Sequence, residues 1–317
     1  MKILVSPTSM QEGKNCKALE LLKNFTTDII YNPYGRPMTE DELLPLLEDC
    51  DGFIAGLDAV TEKAISGAKK LKVISRYGAG VDRVDLAAAK AKNIAVTNTP
   101  GANAEAVAEL AFGMIFNLAR RISFLNEKTK AGEWVRSTGM ELNGKTIGIF
   151  GLGAIGKNLA KYAQGLSMKV MAYDPYLDEN YAKENNITVA TFDEVIEQAD
   201  VISLHLPLTP STRHLIDRTA ISKMKQGALL VNTSRGGIID EDAAYEALVN
   251  HRLGGLGLDA FEVEPPTGSP LFALDNVVVT PHTGAHTKEA MDNMAELSVE
   301  NLINVLSGKE CKHILNQ

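Results

Sequence analysis

Three polar segments of the sequence carry residue types that can move a proton and bind an anion. They contain Arg235, Glu264 and His282. Oxidation of a secondary alcohol needs a base for the hydroxyl proton, a cation that orients an anionic substrate and an acceptor for the hydride. Histidine, arginine and a nicotinamide cofactor supply these three functions, so the segments indicate alcohol oxidation wherever such a cofactor binds beside them.

A glycine pattern supplies a candidate site for that cofactor. Gly151, Gly153 and Gly156 match the GxGxxG pattern, directly after an apolar strand pattern and before a helix-compatible segment. We expect Gly151 to make a tight turn, Gly153 to let the backbone approach a pyrophosphate, and Gly156 to let helix and strand pack closely. The alternative, a plain glycine turn, is disfavoured because strand, glycines and helix coincide.

An acid follows the glycine pattern at the spacing typical of dinucleotide sites. Asp174 ends the next predicted strand, roughly 20 residues downstream, where a carboxylate accepts hydrogen bonds from the ribose hydroxyls. A carboxylate at this position repels a 2′-phosphate, and residues 175–177 contain no Arg or Lys that would bind one. The pattern therefore favours NAD over NADP as cofactor.

The elements that must position these residues read as two successive βα series, which favours parallel sheets. The segments with Arg235, Glu264 and His282 stand at or beyond strand ends, where open α/β sheets bind ligands. We predict strands at 2–6, 28–31, 52–55, 72–75 and 94–97, and then at 146–150, 169–173, 201–204, 228–232, 255–260 and 277–280.

These series predict an α/β fold class with two Rossmann-like or flavodoxin-like domains, each built on a parallel sheet, and a cleft between them. We expect residues 1–98 and 286–317 to form the substrate-binding domain and 99–285 to form the NAD-binding domain. A capping-box pattern starts a helix at Thr39. One long helix is predicted over 103–130, and an amphipathic helix over 287–306 that returns to the first domain.

Composition excludes several other classes of protein. The 317 residues carry a net charge of −8, which argues against a nucleic-acid surface. No apolar run approaches the roughly 20 residues of a membrane helix, and the N-terminal apolar stretch is too short for a signal peptide, so we expect a cytoplasmic protein. Neither the three cysteines nor the histidines at 205, 214, 251, 286 and 313 have the spacing of a metal site, so no metal is expected.

The order and spacing of the motifs resemble one known family over nearly the whole chain. The motifs are the glycine pattern, SRGG at 234–237, EPP at 264–266, PHTGA at 281–285, GAGVD at 78–82 and NTPG at 98–101. Together they resemble the D-isomer-specific 2-hydroxyacid dehydrogenases, with the greatest likeness to D-3-phosphoglycerate dehydrogenases that lack a C-terminal regulatory domain. Regulation by such a domain is therefore not expected.

The resemblance implies a role for each candidate catalytic residue. By itself an arginine is usually a surface charge and a histidine usually structural, and the motifs reverse that expectation. Arg235 would hold the substrate carboxylate and the C2 oxygen, and His282 would be the general base in oxidation and the proton donor in reduction. Glu264 would accept a hydrogen bond from the other ring nitrogen of His282, and Asp259 would face the nicotinamide carboxamide.

The resemblance also implies the wider binding sites, with the backbone N–H groups of Ala79 and Gly80 contacting the substrate anion. The cofactor-binding set comprises Gly151, Gly153, Ala154, Ile155, Gly156, Asp174, Leu206, Thr233, Ser234, Asp259, His282 and Gly284. The substrate-binding set comprises Arg76, Gly78, Ala79, Gly80 and Arg235.

The sequence leaves several hypotheses open for the substrate and for the partners. Arg76 is a candidate for a substrate phosphate, but residues 56–58 contain no arginine where relatives often have one, so glyoxylate and hydroxypyruvate remain alternatives to 3-phosphoglycerate. A reading of a different class is an NAD-sensing, corepressor-like binding protein, and a third is a sister enzyme that oxidises formate or phosphite. The 103–130 segment resembles a dimer-forming arm, which predicts a homodimer; Trp134 packs either across that interface or in a core.

Overall fold

The computed structural model describes residues 1–14 and 16–316 and divides the chain into two compact units. Unit 1 comprises Met1–Asn103 and His286–Gln317, and unit 2 comprises Ala104–Ala285. The first division falls five residues later than the sequence placed it. Thr99 belongs with unit 1 because its N–H donates to the Gly78 carbonyl oxygen at 3.1 Å and its hydroxyl oxygen accepts from the Gly78 N–H at 3.0 Å.

Helices and strands alternate along both units, in the following chain order. The first stretch contains β1 (Lys2–Val5), α1 (Lys17–Phe25), β2 (Asp28–Tyr31), α2 (Glu40–Leu47), β3 (Gly52–Ala55), α3 (Glu62–Gly67), β4 (Val73–Arg76), α4 (Leu86–Ala91) and β5 (Ala95–Thr97). Unit 2 contains α5 (Ala104–Arg120), α6 (Ile122–Lys130), β6 (Thr146–Phe150), α7 (Ala154–Gly165), β7 (Lys169–Tyr173), α8 (Glu179–Glu184), β8 (Thr188–Val189), α9 (Phe192–Gln198), β9 (Val201–Leu204), α10 (Arg218–Lys223), β10 (Ala228–Asn232), α11 (Glu241–Val249), β11 (Leu253–Leu258), a 3₁₀ turn (Pro270–Ala273) and β12 (Val277–Val279). The last helix, α12 (Lys288–Leu306), returns to unit 1.

The described part of unit 1 contains a five-stranded parallel sheet in the order β2-β1-β3-β4-β5. This is the flavodoxin-like order. Helices α2, α3 and α4 cover one face, whose core includes Leu43 and Phe53, and helices α1 and α12 cover the other, whose core includes Leu19 and Leu302. Burial on both faces explains the uninterrupted apolar run of β1.

The described part of unit 2 contains a seven-stranded parallel sheet in the order β12-β11-β10-β9-β6-β7-β8. Strand order reverses between β6 and β9, so this is a doubly wound Rossmann sheet with an added edge strand. Hydrophobic cores cover both of its faces. The carboxyl ends of β6, β9, β10, β11 and β12 carry the glycine pattern and all three candidate catalytic residues, at the edge where such sheets bind ligands.

The prediction of one helix over 103–130 is wrong, because the segment divides at Arg121. Arg121 has a left-handed backbone with φ of 51°, and α6 starts after it. Asn117 compensates for the break: its side-chain oxygen accepts from the Ser123 N–H at 2.8 Å. The Arg121 guanidinium pairs with Asp275 at 2.7 Å and lies over the Phe124 ring. These contacts depend on the tertiary arrangement, which helix propensity does not contain.

Strands β2, β3, β6, β7, β9 and β10 have the predicted bounds, the bounds of the other predicted strands shift by one or two residues, and the edge strand β8 was not predicted. The capping box at Thr39 is present, with the Thr39 N–H donating to Glu42 Oε2 at 2.9 Å. Strand β11 starts at Leu253, before the predicted residue 255, because Leu253 pairs with Ala228 of β10. Among the residues that the structure describes, no helix has both the length and the apolar character needed to cross a membrane.

Candidate active site

The glycine pattern forms the turn between β6 and α7. Gly151 has φ of 96°, and a Cβ added there would lie 2.7 Å from the His205 carbonyl oxygen. A Cβ on Gly156 would overlap the Gly151 carbonyl oxygen, whereas Gly153, the N-cap of α7, has open space around its Cβ position. The turn is therefore closed toward the protein and open at the helix N-terminus, where free N–H groups and the helix dipole favour a phosphate.

Asp174 lies beside this turn at the end of β7. Its Oδ2 accepts a hydrogen bond from the Leu152 N–H at 2.8 Å, and its Oδ1 accepts one from the Tyr176 N–H, also at 2.8 Å. The carboxylate is only partly buried, and each carboxylate oxygen can accept more than one hydrogen bond. The structure thus brings Asp174 and the glycine turn together, and the carboxylate retains acceptor capacity for ribose hydroxyls.

A buried asparagine organises the loop that carries Arg235. The Asn232 amide nitrogen donates to the Arg235 carbonyl oxygen at 2.7 Å, and its side-chain oxygen accepts from the Ser234 N–H at 3.0 Å. The Thr233 hydroxyl beside it is buried and has no hydrogen-bond partner among the described residues. A buried polar group of this kind is expected to have a partner. The Thr233 hydroxyl can therefore still donate and accept a hydrogen bond, which is consistent with contact to a polar group of a bound cofactor.

His282 and Glu264 form a direct pair. The distance between His282 Nδ1 and Glu264 Oε1 is 2.9 Å, and the two side chains are 31% and 23% exposed. Because a carboxylate only accepts, Nδ1 must carry the hydrogen, and in the neutral ring Nε2 then has the free lone pair. The pair therefore leaves a base at Nε2 and holds a carboxylate where it stabilises the imidazolium.

Asp259 holds the backbone of the loop that contains His282. It is 2% exposed, its Oδ1 accepts from the Thr283 N–H at 2.7 Å, and its Oδ2 accepts from the Gly284 N–H at 2.8 Å. The Thr280 hydroxyl also donates to Oδ1, at 2.6 Å. Asp259 thus has a structural task that the sequence did not indicate, and its contact with a nicotinamide carboxamide stays a prediction.

The predicted substrate-binding residues of unit 1 lie around the end of β4. Arg76 is 7% exposed, and its Nη1 donates to the carbonyl oxygens of Ala55 and Tyr77. A Cβ on Gly78, which has φ of 140°, would lie 3.1 Å from Arg76 Nη1, so the guanidinium packs directly beneath the glycine loop. The Asn98 side chain donates to the Ala79 carbonyl oxygen at 2.7 Å and holds the same loop. Contacts of Arg76, Ala79 and Gly80 with substrate stay predictions.

His205 lies beside the glycine turn of unit 2, and the sequence assigned it no functional role. It follows β9 at the point where strand order reverses, and its N–H donates to the Phe150 carbonyl oxygen at 2.7 Å. Its Nε2 lies 3.0 Å from the Ser203 hydroxyl, and burial lowers the pKa of His205 to about 3. The imidazole is therefore neutral at physiological pH. The signal that could have found it is the pair His205-Leu206 directly after a strand next to the glycine turn.

No group of three or more His, Cys, Asp or Glu side chains is arranged as a metal site within residues 1–14 and 16–316. Cys16, Cys50 and Cys311 are free thiols.

The sheet order and the glycine turn with its acid are those of a dinucleotide-binding domain. The family model described as "D-isomer specific 2-hydroxyacid dehydrogenase, NAD binding domain" matches residues 112–284. The chain belongs to the D-isomer-specific 2-hydroxyacid dehydrogenase family, and its cofactor is NAD.

Relatives within the family carry different names. The chain is 43% identical to D-3-phosphoglycerate dehydrogenase of Methanocaldococcus jannaschii over 88% of this chain and 54% of that protein. It is 44% identical to hydroxypyruvate reductase of Thermotoga maritima over 85% of this chain and 89% of that protein. D-lactate dehydrogenase of Aquifex aeolicus, solved with NAD and lactic acid, is 32% identical with a TM-score of 0.83, over 97% of this chain and 96% of that one. The chain thus spans about half the length of the phosphoglycerate dehydrogenase relative and most of the other two.

Proposed function

We propose that this protein is an NAD-dependent enzyme that interconverts a small D-2-hydroxy acid and its 2-oxo acid, with 3-phosphoglycerate dehydrogenase-like activity as the first candidate. The observation that carries the proposal is the His282–Glu264 pair, 2.9 Å between Nδ1 and Oε1, in the same domain as the glycine turn. This pair supplies a base with a fixed tautomer, which alcohol oxidation requires. Family membership supports the same reaction.

The residues of the chain divide the reaction between them. His282 Nε2 takes the hydroxyl proton during oxidation and returns it during reduction, while Glu264 stabilises the imidazolium that forms. The planar guanidinium of Arg235 binds the substrate carboxylate through two parallel hydrogen bonds. The glycine turn, Asp174 and Thr233 hold the cofactor. When bound, NAD supplies the acceptor for the hydride that leaves C2.

A second candidate substrate is hydroxypyruvate or glyoxylate, which lack a phosphate. Two observations in unit 1 favour it. Arg76 packs beneath the glycine loop and donates to backbone carbonyls. Asp58, in the segment where relatives often have a phosphate-binding arginine, is buried, with its carboxylate accepting from the Ser6 hydroxyl and from the Met38 N–H at 2.8 Å. An additional carboxylate at this place disfavours a phosphate.

The test is a panel of 2-oxo acids with NADH and, separately, NADPH, followed by loss of reduced-cofactor absorbance. The panel contains 3-phosphohydroxypyruvate, hydroxypyruvate, glyoxylate and pyruvate. The highest kcat/KM identifies the substrate class, and a preference for NADPH contradicts the role assigned to Asp174. Tight NADH binding without turnover of any 2-oxo acid contradicts the enzyme proposal and supports the NAD-sensing binding protein instead.

We further propose that the protein is a cytoplasmic homodimer that pairs through the arm 103–130 and the segment after it. Four apolar side chains on this part of unit 2 are exposed: Phe116, Ile122, Trp134 and Val135. Trp134 is 83% exposed, which disfavours a role in the core of unit 2. An exposed group of large apolar side chains is typical of a protein interface.

A further inference from the structure

The loop from Asp259 to Pro266 carries Glu264, and it is fastened to the rest of unit 2 by side chains that the reaction does not use. Glu262 and Glu241 make a reciprocal pair of backbone contacts: the Glu262 N–H donates to Glu241 Oε1 at 2.6 Å, and the Glu241 N–H donates to Glu262 Oε1 at 3.3 Å. The His214 Nε2 lies 3.0 Å from the same Oε1 of Glu262. We call Glu241, Glu262 and His214 the loop clamp.

The loop clamp connects three separate stretches of the chain. Glu241 begins α11, and the His214 N–H donates to the Gly237 carbonyl oxygen at 2.7 Å. Gly236, next to Arg235, is packed so closely that a Cβ there would overlap the Phe261 carbonyl oxygen. The loop with Arg235 and the loop with Glu264 are therefore in direct backbone contact.

Glu264 depends on this arrangement for its own position. Its Oε1 accepts from the Phe261 N–H at 3.3 Å as well as from His282 Nδ1. Phe261 immediately precedes Glu262, so the contacts of the Glu262 side chain with the Glu241 N–H and with His214 help to hold the backbone that supports the Glu264 carboxylate, beside the bond of the Glu262 N–H to Glu241. Burial, together with the neighbouring charge of Glu262, raises the pKa of Glu241, as expected where two acids are held close together.

We infer that Glu262 is a positioning residue for the acid–base pair: with Glu241 and His214 it fixes the loop that places Glu264 against the His282 ring. This inference rests on the proposed function. Productive geometry must be held closely, since a displacement of about 1 Å can reduce a rate roughly 100-fold. The 28% exposed side chain of Glu262 acts through the loop backbone and not on the substrate.

The kinetic experiment compares Glu262→Ala and Glu262→Gln with the parent enzyme, using the best 2-oxo acid and NADH. Because glutamine keeps an oxygen that accepts from the Glu241 N–H, we expect Glu262→Ala to lower kcat about tenfold while Glu262→Gln stays within about twofold of the parent. NADH affinity, measured by fluorescence titration, should be unchanged in both. Glu246→Ala, which removes an exposed acid of α11 paired with Arg218, is the matched control with parental kcat.

A second measurement reads the pair without any turnover. Nitrogen-15 spectra of the imidazole rings in the enzyme without cofactor, assigned with His282→Gln, should show His282 as a single tautomer with hydrogen on Nδ1. In Glu262→Ala, and in Glu241→Ala as an independent way to open the clamp, the signal should become an average of both tautomers.

Parental kcat or an unchanged tautomer in Glu262→Ala overturns the inference, and so does an equal defect in Glu262→Gln. If the parent enzyme turns over no 2-oxo acid, the proposed function is contradicted but the inference about Glu262 is not. The tautomer measurement still decides whether the loop clamp positions Glu264.

Discussion

His282 is held by two acids that act on different parts of it. Glu264 fixes the ring through Nδ1, and Asp259 fixes the backbone through the N–H groups of Thr283 and Gly284. His282 itself has φ of 53°, in the left-handed region that costs energy for a residue with a side chain. The hydrogen bonds of Asp259 to the next two N–H groups stabilise this backbone, and Glu264 fixes the orientation of the ring.

Substitution His282→Ala should abolish turnover and leave NADH affinity nearly unchanged. General acid–base catalysis contributes roughly 100- to 10,000-fold, and the change leaves the glycine turn, the proposed cofactor site, untouched. Steady-state NADH oxidation and fluorescence titration measure the two quantities. His313→Ala, a histidine of unit 1, is the control with parental kinetics. Equal losses of turnover and affinity would show that His282 is mainly structural.

Among the elements, the contact between β6 and α7 depends on the absence of a side chain. Substitution Gly156→Ala places a Cβ against the Gly151 carbonyl oxygen. Overpacking of this kind costs about 1–3 kcal/mol and displaces the turn that we propose binds the pyrophosphate. We therefore expect a lower free energy of unfolding and weaker NADH binding, measured by urea unfolding and fluorescence titration.

Gly165, in the same helix α7, is the matched control for that change. Its Cβ position is open, so Gly165→Ala should raise the free energy of unfolding by about 0.5 kcal/mol through the lower entropy of the unfolded chain. Equal effects of the two substitutions would contradict the close packing of β6 and α7.

The start of α2 gives a pH-dependent contribution to stability. The Arg36 guanidinium, and next the Thr39 N–H, lower the pKa of Glu42 from 4.5 to about 2. Because the folded-state pKa is depressed, the contribution is fully present above about pH 4.5 and is lost as the pH falls toward 2. The stability difference between the parent and Glu42→Gln, measured by urea unfolding, should therefore shrink between pH 6 and about pH 3. A stability difference between the parent and Glu42→Gln that does not change with pH would contradict this prediction. Glu20→Gln, which changes an exposed first-turn acid of α1, is measured in parallel.

In the whole molecule, unit 2 is built from one continuous stretch of the chain and unit 1 from two separate stretches. Unit 2 is continuous over Ala104–Ala285, whereas unit 1 needs α12 to cover the face of its sheet that α1 shares. Unit 1 therefore completes its core only when α12 has been made. In a monomer, the exposed apolar side chains Phe116, Ile122, Trp134 and Val135 of unit 2 would remain in contact with water.

The proposed homodimer predicts a particle of twice the chain mass of 34.2 kDa in light scattering. Substitution Trp134→Arg places a charge in the proposed interface and should shift the protein toward monomer, since interface cores exclude charge. Val189→Arg changes an exposed apolar residue on the edge strand β8 and should leave the mass of the particle unchanged. A parent protein that is monomeric at micromolar concentration would refute the interface.

Prediction from sequence succeeded where the signal is local. The glycine turn and Asp174 are neighbours through one βαβ unit, so strand, glycines, helix and acid could be read in order, and β6 and β7 have the predicted bounds. The break at Arg121 was missed because helix propensity over 103–130 is high, while the contacts that stabilise the break come from Asn117 and the distant Asp275.

The amino-acid order alone was enough for the α/β class, the parallel sheets and the glycine turn between β6 and α7, because periodicity and glycine spacing act over a few residues. Contacts between residues far apart in the chain required the folded molecule. Asp259 meets the loop of His282 only because β11 and β12 are neighbouring strands, and Glu262 meets Glu241 only because their loops end on the same edge of the sheet. Local sequence carries propensity, whereas the distance between two loops depends on how every strand between them packs.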